Sequence, residues 1–276
     1  MKEYTKLTNA EVLDLLRRHT IVIYGAGYVA EYFFAALEDR EIADHVRDVM
    51  VTQLQSPILF HGFHVKELSN MKFSEDDLVC LAVHESNYED LRKNILGKAN
   101  FLWVTPYCQG TNFCDPLRKG IRLPINEVVR TNIIDRYNIA IRCLVIDELQ
   151  GKNDIGKNIY KKHICKFSSI ATAEKRLQRF CKIIHYWMKY GYENGHPIWL
   201  DEQNHILDGE HRTALCLYFG EKDIFADVYP STSFYERFLK GYDAINHRVL
   251  SDGTFTKPEV KAIVDMQKRI ENKINA

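Results

Sequence analysis

Ile21-Val22-Ile23-Tyr24-Gly25-Ala26-Gly27-Tyr28-Val29-Ala30 reads as a short apolar strand, a glycine turn and the opening of a helix. The helical pattern continues with Phe33, Phe34 and Leu37 on one side, the spacing of a helix that buries one face. Outward from this stretch, further strands are expected at Val46 to Thr52, Leu78 to Val83 and Phe101 to Val104, with a helix from Tyr88 to Leu96 between the last two. Strands alternating with helices at such intervals predict a parallel, doubly wound α/β sheet.

The spacing Gly25-x-Gly27-x-x-Ala30 matches the first turn of a Rossmann-type unit. There glycines let the backbone approach a phosphate, and a small third residue lets the helix pack on the strand. An NAD site also wants an acidic residue about 20 residues on, at the end of the second strand, and that place reads Val51-Thr52-Gln53. Residues 19 to 107 resemble the Rossmann-like domains of bacterial polysaccharide-biosynthesis proteins and the N-terminal domain of sugar acyltransferases. The resemblance is carried by the glycine turn, by Gly62-Phe63-His64-Val65 before Leu68, and by Leu81-Ala82-Val83 before a helix. It implies a domain that binds a nucleotide or nucleotide sugar, or that serves as an interaction module; a sheet that only supports its neighbour is the plain alternative.

A chain of 276 residues accommodates two domains of ordinary size. Its 46% hydrophobic, 12% aromatic and 27% charged residues are those of a globular protein. No apolar run has the length of a membrane span, and residues 1 to 20 read as an amphipathic helix with Arg17 and Arg18 where a signal peptide would be apolar. A cytoplasmic protein without a membrane span is expected. The 37 basic residues balance 37 acidic ones, which argues against general DNA binding. Between Lys152 and Lys189, however, ten Lys or Arg face only Asp154 and Glu174; the stretch either attracts a phosphorylated ligand or is a solvated face. The seven cysteines are scattered and never in a Cys-x-x-Cys pair, so neither a disulfide framework nor a metal site is expected.

Pro106, Gly110, Pro116, Gly120 and Pro124 punctuate the exit from the first sheet. Three parts follow: residues 1–109 as the Rossmann-like domain, 110–171 as a helical connector, and 172–276 as an α+β domain with C-terminal helices. In the connector a helix is expected through residues 136 to 148, and Gly151-Lys152-Asn153-Asp154 forms a turn in which Lys152 and Asn153 are candidate phosphate ligands. Thr172 to Tyr190 is an amphipathic helix closed by Gly191, and Pro258 to about Lys273 another.

Asp208-Gly209-Glu210-His211-Arg212 carries the chemistry. Short strands at Pro197 to Asp201 and His205 to Leu207 precede it, a helix beginning at Glu210 or His211 and ended by Gly220 follows, and Ile224 to Tyr229 supplies another strand. Gly209 can take the conformation of a sharp turn, and the helix start offers free N–H groups and its positive end to an anion. Arg212 adds a permanent charge and His211 a donor or proton carrier. Asp208 and Glu210 are carboxylates within reach of an attacking hydroxyl.

Pro-Ile-x-x-Asp, Ile-Leu-Asp-Gly-x-His-Arg and a helix ending Tyr-Phe-Gly resemble the ParB/sulfiredoxin-like superfamily over residues 172 to 230. Glu210 stands where sulfiredoxins have a catalytic cysteine, which removes the sulfur chemistry. His211 stands where the ParB box Gly-Glu-Arg-Arg has its first arginine, and no DNA-reading helix pair is evident after residue 230. The box is closest to the Asp-Gly-His-His-Arg of nucleotide-dependent free serine kinases, with Glu210 in place of the first histidine. That resemblance implies that Gly209, His211 and Arg212 hold phosphates, that Asp208 or Glu210 orients or deprotonates an acceptor, and that a nucleoside di- or triphosphate with Mg²⁺ is the donor. The expected function is phosphoryl transfer to a small hydroxylated metabolite in surface-polysaccharide or sugar metabolism. The alternatives are a non-catalytic module that binds a nucleotide sugar or docks on a glycosyltransferase partner, and an NAD-dependent oxidoreductase.

Overall fold

Val22 and Tyr24 point to one side of their strand and Ile21 and Ile23 to the other, and all four are buried. Such a strand must be covered on both faces, which is why it reads as an unbroken apolar run. The computed structural model describes residues 1–108, 110–132, 136–166, 168–191, 196–231 and 250–275, of residue 136 the backbone alone. The chain is α/β and divides into two compact units, Met1–Asp115 and Pro116–Ser231 with 250–275.

In the first unit β1 (Glu3–Tyr4), β2 (Thr20–Tyr24), β3 (Val46–Val51), β6 (Lys66–Glu67), β7 (Asp77–Leu81) and β8 (Asn100–Trp103) form one sheet. Its order is β1-β8-β7-β2-β3-β6 and every pairing is parallel. β4 (Leu59–Phe60) and β5 (Phe63–His64) make a separate hairpin. Helices α1 (Asn9–Arg18) and α2 (Tyr28–Asp39) cover the face of Ile21 and Ile23, and α3 (Glu85–Ile95) covers the face of Val22 and Tyr24. The short α4 (Thr105–Cys108) follows β8. From β2 the chain winds outward through β3 to β6 on one side and through β7 to β8 on the other. The unit is therefore a Rossmann-like sheet whose order reverses between β2 and β7. Gly25 sits at that reversal with φ 130°, and a Cβ there would lie 2.6 Å from the Ala82 carbonyl oxygen. Gly27 caps α2 without a side-chain hydrogen bond, and Ala30 is fully buried beneath it.

The second unit has a four-stranded mixed sheet, β11-β10-β12-β9. These are β9 (Arg118–Pro124), β10 (Ile198–Asp201), β11 (Ile206–Asp208) and β12 (Asp223–Tyr229). β10 and β12 run parallel, and the outer pairs are antiparallel. Helices α5 (Ile125–Thr131), α6 (Arg136–Leu149), α7 (Gly156–Cys165), α8 (Ile170–Tyr190), α9 (Glu210–Phe219) and α10 (Lys257–Asn275) complete it. Residues 116–171, expected as a connector, thus supply a sheet strand and three helices of this unit. Ile139, Ile141, Val145, Ile159 and Tyr160 lie in the same core as Ala214, Leu215 and Ile263. β9 was not expected because Arg118, Lys119 and Gly120 break any apolar alternation; it is an exposed edge strand, where charges are tolerated and hinder pairing with other chains. No helix among the described residues is long and apolar enough to cross a membrane. The expectation about helices after residue 230 falls partly on residues 232–249, outside the described residues.

Candidate functional site

The start of α9 is shaped by Gly209, whose φ is 109°. A Cβ there would lie 2.4 Å from Ile198 Cγ2 and 3.1 Å from Ile198 Cα, so glycine is required both by the left-handed backbone and by the close approach of β10. From this turn three consecutive side chains diverge.

Glu210 turns toward α6. Its Oε2 is ion-paired with Arg142 Nη2, and its Oε1 accepts a hydrogen bond of 3.3 Å from Asn138 Nδ2. Arg142 and Asn138 are each 5% exposed and lie one helical turn apart, with Arg142 Nη1 donating to the Asn138 carbonyl at 2.9 Å. Two atoms here have no hydrogen-bond partner, Arg142 Nε and Asn138 Oδ1. Buried polar groups are rarely left so.

His211 turns the other way, toward α7 and α8. Its Nε2 is 2.9 Å from the Tyr160 hydroxyl, and its ring lies 4.4 Å, centroid to centroid, from Phe180. Burial, and then the charges of Arg142, Arg176, Arg179 and Arg212, hold its pKa well below the ordinary value. The imidazole is neutral at pH 7. Burial raises the Tyr160 pKa, opposed by Arg142 and Arg176 and helped by Glu210, so the phenol keeps its proton. Arg176 stands one helical turn before Phe180 and shares its face of α8. Neither Arg176 nor Arg179 has a hydrogen-bond or ion-pair partner among the described residues.

Arg212 points back along the chain. Its Nη1 donates to the carbonyls of His196 and Pro197, each at 2.5 Å, and its Nη2 reaches Asp208 Oδ2 at 3.2 Å. Its guanidinium is thereby largely occupied in tying the entry of β10 to the α9 turn, while the Asp208 side chain remains 63% exposed.

Asp208, Gly209, Glu210, His211 and Arg212 are thus gathered at one helix start, but Lys152 and Asn153 are not with them. Lys152 Nζ donates to the Tyr218 hydroxyl at 2.8 Å, in the last turn of α9, roughly 12 Å along the helix from Glu210 at 1.5 Å per residue. Asn153 Oδ1 accepts from the N–H groups of Ile155 and Gly156, both at 3.0 Å, and its Nδ2 donates to the Leu144 carbonyl. It holds the two N–H groups at the entry of α7 and ties that entry to α6. Gly25, Gly27 and Ala30 belong to the first unit.

The residues that sequence reasoning missed are Asn138, Arg142, Tyr160 and Phe180. A signal for Arg142 was present: it is the one charge in Ile139-Ala140-Ile141-Arg142-Cys143-Leu144-Val145-Ile146, a run otherwise fit for a core. A charge in such a place needs a partner. Arg176 and Arg179 belong to the basic stretch already noted, which the structure divides between the exposed surface and the surroundings of His211.

Among the described residues no three His, Cys, Asp or Glu side chains converge on a metal-sized site. Comparisons with protein-family models, with curated proteins and with solved structures found no match to the chain.

Proposed function

We propose that the second unit binds a phosphorylated small molecule over the start of α9 and transfers a phosphoryl group to a hydroxylated metabolite. The observation that carries the proposal is the helix start itself, where the buried Arg142 is ion-paired with Glu210, Arg212 is ion-paired with Asp208, and His211 packs on Phe180 of the helix that bears Arg176 and Arg179. Arg142 is paired to Glu210 and Arg212 to Asp208, so Arg176 and Arg179 leave a surplus of positive charge at the place where a helix end also favours anions.

Phosphoryl transfer asks a protein chiefly for positioning and charge stabilisation. The acceptor oxygen forms a bond to phosphorus as the bond from phosphorus to the donor's bridging oxygen breaks, and the acceptor proton passes to a carboxylate. In this reading Glu210 is the carboxylate that takes that proton. His211, neutral and tethered to Tyr160, offers a hydrogen bond without adding charge. Mg²⁺ accompanying a nucleotide is usually held by one or two carboxylates and the phosphates themselves, and Asp208 and Glu210 are the carboxylates in this turn. The likeness of the Asp208–Arg212 box to that of ParB-like serine kinases supports the same chemistry, and the resemblance of the first unit to polysaccharide-biosynthesis domains suggests a sugar or sugar nucleotide as acceptor.

The test is to incubate the full chain with ATP, ADP or CTP, Mg²⁺ and serine or sugar acceptors, and to follow phosphorus by NMR. A new phosphate ester is expected, reduced at least about 100-fold in rate by Glu210→Gln, the scale of a lost acid–base group. Failure of transfer with every donor would sink the enzymatic reading. A non-catalytic binding module is favoured by a separate observation, that Asp208, Glu210 and Arg212 all have partners within the protein. It predicts saturable nucleotide or nucleotide-sugar binding with no turnover.

A further inference from the structure

Resting on the phosphate-binding reading of the α9 turn, we infer that Arg142 and Asn138 are ligand-binding residues and that Glu210 occupies their place until an anion displaces it. A phosphate oxygen takes over Arg142 from the Glu210 carboxylate, and the ligand's arrival thereby releases the proton acceptor.

Three observations lead here. Arg142 is a charged side chain, 5% exposed, whose one carboxylate partner among the described residues is Glu210. Its Nε lacks a partner, a donor that a phosphate oxygen would satisfy, since guanidinium and phosphate match through two parallel N–H bonds. Asn138, one turn away and equally buried, carries an unpartnered acceptor, Oδ1, while its Nδ2 reaches Glu210. A ligand presenting a phosphate to Arg142 and a hydroxyl to Asn138 would satisfy both, which specifies the chemical class: a phosphate ester bearing a neighbouring hydroxyl group.

Leaving the arginine unpaired would be costly; Glu210 prevents that cost in the free protein. Its own side chain is 29% exposed, so it can swing outward when the anion enters. Arg176 and Arg179, without hydrogen-bond or ion-pair partners among the described residues and on the helix whose Phe180 packs on His211, add positive charge that draws the anion in. Proton acceptance by Glu210 is thereby coupled to donor binding, because the carboxylate oxygens engaged by Arg142 and Asn138 are open to the acceptor hydroxyl only once the anion has taken their place.

Inorganic phosphate is the probe, its binding to the full chain measured by calorimetry. Glu210→Gln, which keeps a hydrogen bond to Arg142 but not the charge, should bind phosphate at least about five-fold more tightly than wild type. Glu174→Gln removes an exposed carboxylate of α8, two residues before Arg176 and without a hold on Arg142, and should change affinity by less than about two-fold. Equal tightening in both variants would mean simple loss of repulsion and would overturn the exchange, as would no tightening in Glu210→Gln or no phosphate binding by either protein. Arg142→Gln combined with Glu210→Gln leaves no buried charge unpaired and should weaken binding at least about ten-fold relative to Glu210→Gln; unchanged affinity would remove Arg142 from the site. Should that double variant not fold, the comparison of the two single variants decides. Absence of phosphoryl transfer would leave these affinities standing, whereas transfer without the affinity pattern would sink the exchange alone.

Discussion

At the scale of single residues, Gly209 and the buried histidines make the sharpest statements. Gly209→Ala places a Cβ against Ile198 in a left-handed backbone. Strain of about 1–3 kcal/mol and overpacking of similar size should together lower stability by about 2–4 kcal/mol, read as a reduced urea midpoint with an unchanged slope. Histidine protonation gives a pH dependence with a definite sign. Burial first, then the charges of Arg142, Lys166 and Arg176, push the His163 pKa from 6.5 down to about 3, and His211 shifts in the same direction. Below pH 6.5 the unfolded chain takes up protons that the folded one does not. The stability these residues share is therefore complete above 6.5 and is lost as the pH falls toward their folded values. Each contributes a slope of at most about 1.4 kcal/mol per pH unit. Urea midpoints between pH 7.5 and 5 should fall steeply for wild type and less steeply for His163→Gln; parallel curves would refute the assignment.

At the scale of elements, the apolar periodicities of α2, α8 and α10 and the run in β2 were legible, because a helix or strand that buries a face must repeat its apolar residues at its own period. The α9 start was legible too, through Gly209 and the Tyr-Phe-Gly ending. What was not legible was the use of polar residues between elements. Asn153 looks like a loop asparagine suited to a phosphate, yet its amide accepts from the N–H groups of Ile155 and Gly156 at the entry of α7 and donates to the Leu144 carbonyl of α6. Asn153→Ala should destabilise the second unit by about 1–3 kcal/mol, the scale of losing three partly buried hydrogen bonds, measured by thermal or urea denaturation. Phosphate affinity should stay within about two-fold of wild type. A large loss of affinity with intact stability would return Asn153 to the binding site.

At the scale of the whole molecule, the boundary matters most. The first unit closes its core on both faces of its sheet with residues before Asp115, so a fragment of residues 1–115 should unfold cooperatively on heating. A fragment beginning at residue 172 lacks β9, α5, α6 and α7, and with them Val128, Ile141, Val145 and Ile159 of the core it shares with α9 and α10. It should show no cooperative transition by circular dichroism, whereas residues 116–276 should; a folded 172–276 fragment would contradict the shared core.

The sequence by itself determined the parallel sheet, the glycine turn at its centre, and the helix start that gathers Asp208 to Arg212. These follow from local rules of chain geometry, legible within about ten residues. The tertiary structure alone decided what those side chains face: Glu210 meets Asn138 across 72 residues of chain, Arg142 becomes the buried partner of that carboxylate, and Lys152 falls at the wrong end of α9. The pairing of charges and their removal from water depend on which elements pack together, and no local pattern encodes that.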